Sequence, residues 1–399
     1  MFLMRTIGTL FAILLMSPCA SAQDPRPTKE WPTATPKEVG LDPAALARFD
    51  ADIEKRSYTY VDSVMIIRHG KLVFDRTYQR NYEDIYGDRA KKRDALNSQE
   101  LTGPYNYYAT WWHPRYRRGD LHTLQSITKT IVSTLLGIAI MRGDFPDDLD
   151  TPVMKYFDEK KVANVDARKR AITIRHLLTM TSGVQWHWTS KPIAQAAEDT
   201  DVLFESSADW LKFAIDRPMA DVPGQKFNYA SGNAQILAHI FNNVTGKDIE
   251  EYAAQHLFAP LGIRDYYWKR TPTGIVDASG GLYLRPHDLA KIGYLYLHNG
   301  AWDGKQVVKA DWVKASVTGH VDTPEWFKGS QWGYLWGVLP YGNKGQHTSF
   351  GATGFGGQGL IVLPDHDAVI VYTGWSIIDG QNALSPPTAI AQFQKAMVD

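Results

Sequence analysis

The chain has 399 residues, and its 43 lysines and arginines are balanced by 43 aspartates and glutamates. That neutrality argues against nucleic acid or an anionic membrane as the main partner, because both select for a basic excess. A single cysteine excludes an internal disulfide and a thiolate metal cluster. What remains is an enzyme or a binding protein that works without thiols.

Residues 1–22 have the three parts of a secretory signal. Arg5 supplies the positive charge, an apolar run follows, and Ala-Ser-Ala at 20–22 is a small-residue cleavage site. Cleavage after Ala22 predicts a periplasmic or secreted protein. A lipoprotein with Cys19 as its first mature residue is the alternative, which fits less well because a proline precedes that cysteine. No later stretch is apolar for long enough to span a bilayer, so we expect no stable membrane insertion after cleavage.

Strand patterns lie at both ends of the mature chain and helical patterns lie between them. In chain order, the predicted elements are a helix over 43–56, a hairpin of strands at 61–68 and 72–78, a polar loop over 81–119, helices at 126–142, 174–180, 208–216, 234–243 and 248–257, strands at 360–363 and 368–375, and a closing helix over 388–397. This order predicts an α/β (α+β) fold, in which an antiparallel sheet from both termini is flanked by helices and a mainly helical domain is inserted.

Three short motifs could carry chemistry, and the first is Ser126 with Lys129. Positions three apart on a helix share a face, so the lysine can hydrogen-bond the serine hydroxyl and stabilise charge on it. The helix dipole favours negative charge at the same end. One Ser-x-x-Lys is expected by chance in a chain of roughly this length. Taken alone, an exposed first helical turn is the better explanation of the pair.

The second motif follows a Pro-Gly turn at 223–224 and contains Tyr229 and Ser231. These alternate positions just before a helix can point into one cleft. A tyrosine near a lysine ammonium loses its proton more easily than its usual pKa of about 10 allows, and can then act as a base. A tyrosine packed at the start of a helix is the alternative.

The third motif is a glycine-rich segment at 351–359 that runs into a strand. Without a lysine it is a poor phosphate loop, but it suits a strand whose backbone approaches a ligand closely and offers free N–H groups. A glycine-rich hairpin end is the alternative.

In this order and spacing, the three motifs resemble those of the serine β-lactamase and penicillin-binding-protein superfamily, specifically its class C-like branch. Segments 174–183, 278–281 and 289–293 are also similar to the family, and the resemblance extends from about residue 31 to the C-terminus. It implies that Ser126 is the acylated nucleophile, Lys129 its partner and Tyr229 the general base. It also implies that the backbone N–H groups of Ser126 and Phe355 form the oxyanion hole.

The resemblance also implies a β-lactamase-like domain organisation. After the signal peptide at 1–22, we expect a sheet domain made of 23–120 and 290–399. We expect a helical domain over 121–289 that carries the nucleophile and tyrosine motifs.

Two departures from the family pattern change the expected substrate. Tyr229-Ala230-Ser231 stands where β-lactamases and penicillin-binding proteins have Tyr-x-Asn, and Ala352-Thr353-Gly354 stands where they have Lys-Thr-Gly or a histidine variant. That cation normally helps to hold a substrate carboxylate, so its absence weakens the case for β-lactams. The motifs are most similar to those of 6-aminohexanoate-dimer hydrolases and related esterases. His347 could replace the missing cation, although a loop histidine is the simpler interpretation.

Aromatic residues are dense around the motifs. We interpret Trp186 and Trp336 as walls of an apolar cleft, with Ala352, Thr353 and Gly354 as further substrate-binding residues. Packing within loops explains the tryptophans equally well. The 12 histidines form no metal-binding motif, so no metal or other cofactor is expected.

The sequence therefore predicts an exported serine hydrolase that cleaves a small-molecule ester or amide through an acyl-enzyme. A β-lactamase or DD-peptidase is the alternative within this class. A penicillin-binding sensor without turnover, or a peptidoglycan-associated protein with a degenerate site, is the alternative outside it.

Overall fold

The computed structural model describes residues 30–97, 101–187, 200–323, 329–378 and 382–398. The predicted signal peptide lies outside these residues. Among the helices of the described part of the chain, none has the length and apolar character needed to cross a bilayer.

The strands within the described residues are β1 (Val61–Arg68), β2 (Lys71–Thr77), β3 (His122–Thr123), β4 (Tyr267–Trp268), β5 (Leu282–Leu284), β6 (Ala301–Trp302), β7 (Lys305–Gln306), β8 (Val321–Asp322), β9 (Gln331–Trp332), β10 (Gly337–Tyr341), β11 (His347–Gly354), β12 (Gln358–Leu363) and β13 (Ala368–Gly374). Eight of them form the main antiparallel sheet, in the order β2-β1-β13-β12-β11-β10-β9-β8. Since β1 pairs with β13, the N-terminal and C-terminal parts of the chain build one sheet, as predicted.

Helices cover both faces of this sheet. Within the described residues they are α1 (Pro43–Glu54), α2 (Tyr82–Ala90), α3 (Thr128–Arg142), α4 (Ala167–Arg170), α5 (Ile174–Leu178), α6 (Thr200–Glu205), α7 (Trp210–Asp216), α8 (Gly232–Thr245), α9 (Ile249–Ala253), α10 (Pro286–Leu297), α11 (Ala310–Ser316) and α12 (Pro386–Ala396). The mixed α/β architecture with an antiparallel sheet confirms the predicted fold class.

Side-chain alternation along β1 shows how the two faces are buried. Val64 and Ile66 belong to the hydrophobic cluster under α1 and α12. Met65 and Ile67 point the opposite way, into the larger cluster that α3, α8 and α10 share. The α10 helix lies very close to the sheet, because a Cβ at Gly293 would be 2.8 Å from side-chain atoms of Leu360. A strand buried on both faces is expected to be largely apolar, which explains the apolar runs at 64–67 in β1 and at 368–372 in β13.

Several elements differ from the sequence-based prediction, which did not include α10, α11 or the strands β8 to β10. The segment predicted as loop over 81–119 contains α2, whose rings Tyr82 and Tyr86 stack with centroids 5.8 Å apart. The Tyr86 hydroxyl donates to the carbonyl oxygen of Trp375 at 2.7 Å. Such tertiary contacts override a weak local pattern. The helix predicted over 126–142 begins as a 3₁₀ turn at Gln125–Ile127 and becomes α-helical only at Thr128.

Candidate active site

Ser126 lies in the 3₁₀ turn that leads into α3. The preceding residue, Gln125, has φ of 48°, a left-handed conformation that is uncommon outside glycine. Its side-chain amide donates to the Thr123 hydroxyl at 2.8 Å, which helps to hold it there. Strain of this kind persists where the surrounding structure requires it, and it is concentrated at functional sites. The backbone N–H groups of a first helical turn also have no partner within the helix, so they can bind a ligand.

Lys129 connects Ser126 to the segment around Ser279. Its Nζ donates to Ser126 Oγ at 3.0 Å and to the carbonyl oxygen of Ser279 at 2.7 Å. The lysine side chain is only 2% exposed. Two fixed acceptors therefore hold a buried ammonium against the serine hydroxyl, where a positive charge stabilises a developing alkoxide.

The ring of Tyr229 lies beside the same ammonium. Lys129 Nζ is 5.0 Å from the centroid of the ring. On another side, the tyrosine packs edge-on against Trp332 with centroids 5.9 Å apart. Ser231 is buried two residues further on, at the N-cap of α8. The structure thus brings Ser126, Lys129 and Tyr229 together, and the roles of Tyr229 as a base and of Ser231 as its companion stay predictions.

The glycine-rich strand contacts the turn that carries the serine. Gly354 is the last residue of β11, and a Cβ at this position would lie 2.3 Å from the carbonyl oxygen of Leu124 and 3.0 Å from Cβ of Gln125. Only glycine permits this approach, since real Cβ contacts are never so short. The close approach that these glycines permit is to the turn that carries Ser126, and the predicted approach of the strand to a ligand stays a prediction.

The residues around Gly354 differ in exposure. Ala352 is partly buried against the core, Thr353 is exposed, and Phe355 lies 37% exposed in the turn between β11 and β12. The Phe355 ring is edge-on to Tyr107 with centroids 6.2 Å apart. Phe355 follows directly on the glycine that contacts the serine turn, which fits the oxyanion-hole position that the resemblance implies. That assignment stays a prediction.

The structure places both predicted cleft tryptophans in the interior. Trp336 is 0% exposed and packs against Tyr296 with centroids 4.1 Å apart. Trp186 is buried too, where its Nε1 donates to Asp201 Oδ1 at 3.1 Å and its ring fills the space beside Gly232. Neither ring has surface left for a substrate. Packing, the alternative interpretation, describes these two positions better than a cleft wall does.

His347 begins β11, and Gly354 ends it. Ala352, which stands in place of the family cation, is five strand residues from His347, or roughly 17 Å away. Instead, His347 Nδ1 lies 2.7 Å from Asp365 Oδ2, and the imidazole ring stacks on Tyr341. This histidine does not replace the missing cation of the third motif.

A cluster of buried charged residues lies next to the site, and no sequence motif indicates it. Lys269 is fully buried, with Nζ 3.7 Å from Asp277 Oδ2 and facing the rings of Tyr105 and Tyr107 at 4.4 and 5.0 Å. The Tyr107 hydroxyl donates to Glu205 Oε1 at 2.8 Å. Burial raises the pKa of Glu205 to about 8, although Lys269 opposes the rise. Burial lowers the pKa of Lys269, and Asp277 and Glu205 oppose that shift.

We expect a Glu205→Gln substitution to remove a pH-dependent loss of stability. The ordinary pKa of this carboxyl is 4.5 and the folded value is about 8, so the folded state holds the proton more tightly. The free energy of unfolding should therefore fall as pH rises from about 4.5 to about 8. Urea unfolding at pH 5 and pH 8 tests this. Parallel pH dependence in the parent and the variant would contradict it.

The chain belongs to the beta-lactamase family, whose family model matches residues 49–374. This range contains the serine–lysine pair, the tyrosine motif and the glycine-rich strand. The resemblance inferred from those motifs is confirmed.

Within this family the chain is similar to hydrolases. It is 27% identical over 282 residues to a 6-aminohexanoate-dimer hydrolase of Paenarthrobacter ureafaciens, a match that covers 66% of this chain and 68% of that one. It is 25% identical over 242 residues to the esterase EstB of Burkholderia gladioli, covering 58% of this chain and 53% of the esterase. The solved structure of EstCE1, described as a hydrolase with promiscuous acyltransferase activity, has the same fold, with a TM-score of 0.62 at 16% identity over 89% of this chain and 99% of that one. The prediction of a β-lactamase-related hydrolase is confirmed.

Proposed function

We propose that this protein is an exported serine hydrolase that cleaves an ester or amide bond of a small molecule through an acyl-enzyme on Ser126. The observation that carries the proposal is the hydrogen bond of 3.0 Å from Lys129 Nζ to Ser126 Oγ, in a site where the ammonium is buried. A serine hydroxyl is a weak nucleophile unless a neighbouring group takes its proton or stabilises its charge. Export is supported by the signal pattern at residues 1–22.

The proposed reaction has two halves. Ser126 Oγ attacks the substrate carbonyl carbon while its proton passes to the Tyr229–Lys129 pair. The negative charge on the carbonyl oxygen is stabilised by the backbone N–H groups of Ser126 and Phe355. The tetrahedral intermediate then expels the alcohol or amine, which takes the proton. A water molecule attacks the Ser126 ester in the second half, releases the acid and returns the proton to Ser126.

We propose esters and linear amides, rather than β-lactams, as substrates. Ala352 stands where the family pattern has a cation, and His347 does not reach this end of β11. Without that cation, a substrate carboxylate loses one of its binding contacts. Similarity to an amide hydrolase and to an esterase supports the same substrate class.

A labelling and turnover experiment tests the function. We expect a fluorophosphonate probe to add one adduct per chain, which peptide mass spectrometry locates on Ser126. We expect p-nitrophenyl butyrate or the linear 6-aminohexanoate dimer to have a higher kcat/KM than nitrocefin. Absence of an adduct contradicts the serine mechanism. A stable acyl adduct without product supports the sensor instead, and faster nitrocefin hydrolysis contradicts the proposed substrate class.

A further inference from the structure

The segment that contacts Lys129 is a tight turn over residues 277–281, which we call the Asp277 turn. Asp277 is 1% exposed, and its Oδ1 accepts three hydrogen bonds from within the turn. The donors are the Ser279 N–H at 2.9 Å, the Ser279 hydroxyl at 2.7 Å and the Gly280 N–H at 2.9 Å. A carboxylate oxygen with three donors fixes the orientation of the peptide groups that it binds.

One of these hydrogen bonds determines where the Ser279 carbonyl points. The Gly280 N–H and the Ser279 C=O belong to the same planar, trans peptide group, so they point in opposite directions. Because Asp277 Oδ1 binds the N–H, the carbonyl oxygen is directed away from Asp277. There it accepts the hydrogen bond of 2.7 Å from Lys129 Nζ.

A buried countercharge faces the other oxygen of the same carboxylate. Lys269 Nζ lies 3.7 Å from Asp277 Oδ2, an ion pair rather than a hydrogen bond. Both side chains are essentially unexposed. Two charges this deeply buried are tolerated only when each compensates the other. Asp277 Oδ2 therefore faces Lys269, while Oδ1 accepts the hydrogen bonds of the turn.

The Asp277 turn has other supports as well. The Ala278 N–H donates to Gln235 Oε1 at 3.2 Å, and the Trp268 indole N–H donates to the Asp277 carbonyl at 2.8 Å. These contacts do not involve the Asp277 carboxylate. Replacing that side chain should therefore disturb the Ser279 peptide while these backbone contacts hold the rest of the turn, and it should also lower stability because Lys269 loses its countercharge.

We propose that Asp277 is a positioning residue for catalysis, which holds the Ser279 carbonyl against Lys129 and so directs the ammonium at Ser126. The inference rests on the proposed function, in which Lys129 assists Ser126. Asp277 touches neither the serine nor the substrate. Its effect passes through one peptide group to the lysine, and misplacement of a catalytic group by about 1 Å costs roughly 100-fold in rate.

The test compares Asp277→Ala and Asp277→Asn with the parent, and Asp288→Asn is the matched control. Asp288 on α10 is an equally buried carboxylate, and it forms ion pairs with Lys291 and Arg285 at 2.8 Å each. In the described part of the chain, no hydrogen bond or ion pair joins it to Ser126 or Lys129. Each protein is first titrated with a fluorophosphonate probe to count its reactive sites. The acylation rate constant and kcat per reactive site with p-nitrophenyl butyrate are then measured, together with the thermal midpoint.

We expect Asp277→Ala to lower the acylation rate per reactive site by roughly 100-fold. Asp277→Asn keeps an oxygen that can accept the same hydrogen bonds, and it should retain a higher rate than the alanine variant. If the alanine variant does not fold, the asparagine variant is compared directly with the Asp288→Asn control. The control should have a lower thermal midpoint than the parent but the same rate per reactive site.

Parental acylation in a folded Asp277→Ala protein would overturn the inference, as would an equal loss of rate in the Asp288→Asn control. Either result leaves the proposed function standing, provided that the parent reacts with the probe. A parent protein that does not react overturns the proposed function itself.

Discussion

A Ser126→Ala variant is expected to lose roughly 10⁴- to 10⁶-fold in kcat for p-nitrophenyl esters, because it removes the oxygen that forms the acyl-enzyme. The fold should be unaffected, since Ser126 is only partly buried at the start of a helix that apolar packing stabilises. Lys129 keeps its hydrogen bond to the Ser279 carbonyl in the variant. The loss should therefore lie in kcat, with no acyl adduct detectable by mass spectrometry.

Ser133→Ala is the matched control for this prediction. Ser133 lies two turns further along the same helix, is fully buried, and its hydroxyl has no hydrogen-bond partner among the described residues. Removal of a buried hydroxyl that has no hydrogen-bond partner should leave the stability of the protein unchanged or increase it. Parental turnover by Ser126→Ala would rule out Ser126 as the nucleophile. Equal inactivation of both variants would show that the helix, rather than the hydroxyl, is what the reaction needs.

Local spacing was sufficient to predict the contact at the centre of the site. Ser126 and Lys129 are three residues apart at a helix start, and their side-chain atoms lie 3.0 Å apart in the structure. The hairpin of β1 and β2 was predictable for the same reason, because its strand pattern and its turn are all contained in about 17 residues.

Contacts between distant segments could not be predicted in this way. The Ser279 carbonyl contacts Lys129 through a backbone atom, which leaves no residue type to recognise in the sequence. In the sequence, Lys269 and Asp277 cannot be distinguished from exposed charged residues. The fold shows that both are buried. The left-handed backbone of Gln125 could not be predicted from the sequence either, because a helical pattern does not indicate that a 3₁₀ turn precedes the helix.

Trp186 and Trp336 show a different limit. Their proximity to the motifs in sequence suggested a cleft wall, but proximity does not indicate which way a ring points. Trp336 precedes β10 and turns into the core beside Tyr296, where a large ring fills space between α10 and the sheet. Phe355, in contrast, remains partly exposed because it occupies the turn at the end of β11.

Substitution of Lys129 by methionine is expected to lower kcat/KM for p-nitrophenyl butyrate by roughly 10²- to 10⁴-fold, the usual contribution of a proton-transfer group. Methionine preserves the apolar stem and removes the ammonium, so the Ser279 carbonyl and the Ser126 hydroxyl both lose their donor. Because Tyr229 and the backbone N–H groups remain, the loss should be smaller than that of Ser126→Ala. Rates are measured per fluorophosphonate-reactive site, or against total folded protein if labelling is too slow.

Lys169→Met separates this chemical effect from the cost of removing a buried lysine. Lys169 is fully buried, and its Nζ donates to the carbonyl oxygens of Ala163 and Ile215 at 2.8 Å each. Its loss leaves two acceptors unpaired and should lower the thermal midpoint, as the loss of Lys129 does. The control should nevertheless turn over substrate at the parental rate per folded molecule. If both variants lost activity in proportion to stability, Lys129 would be a structural residue, and the hydrogen bond to Ser126 would have no part in the reaction.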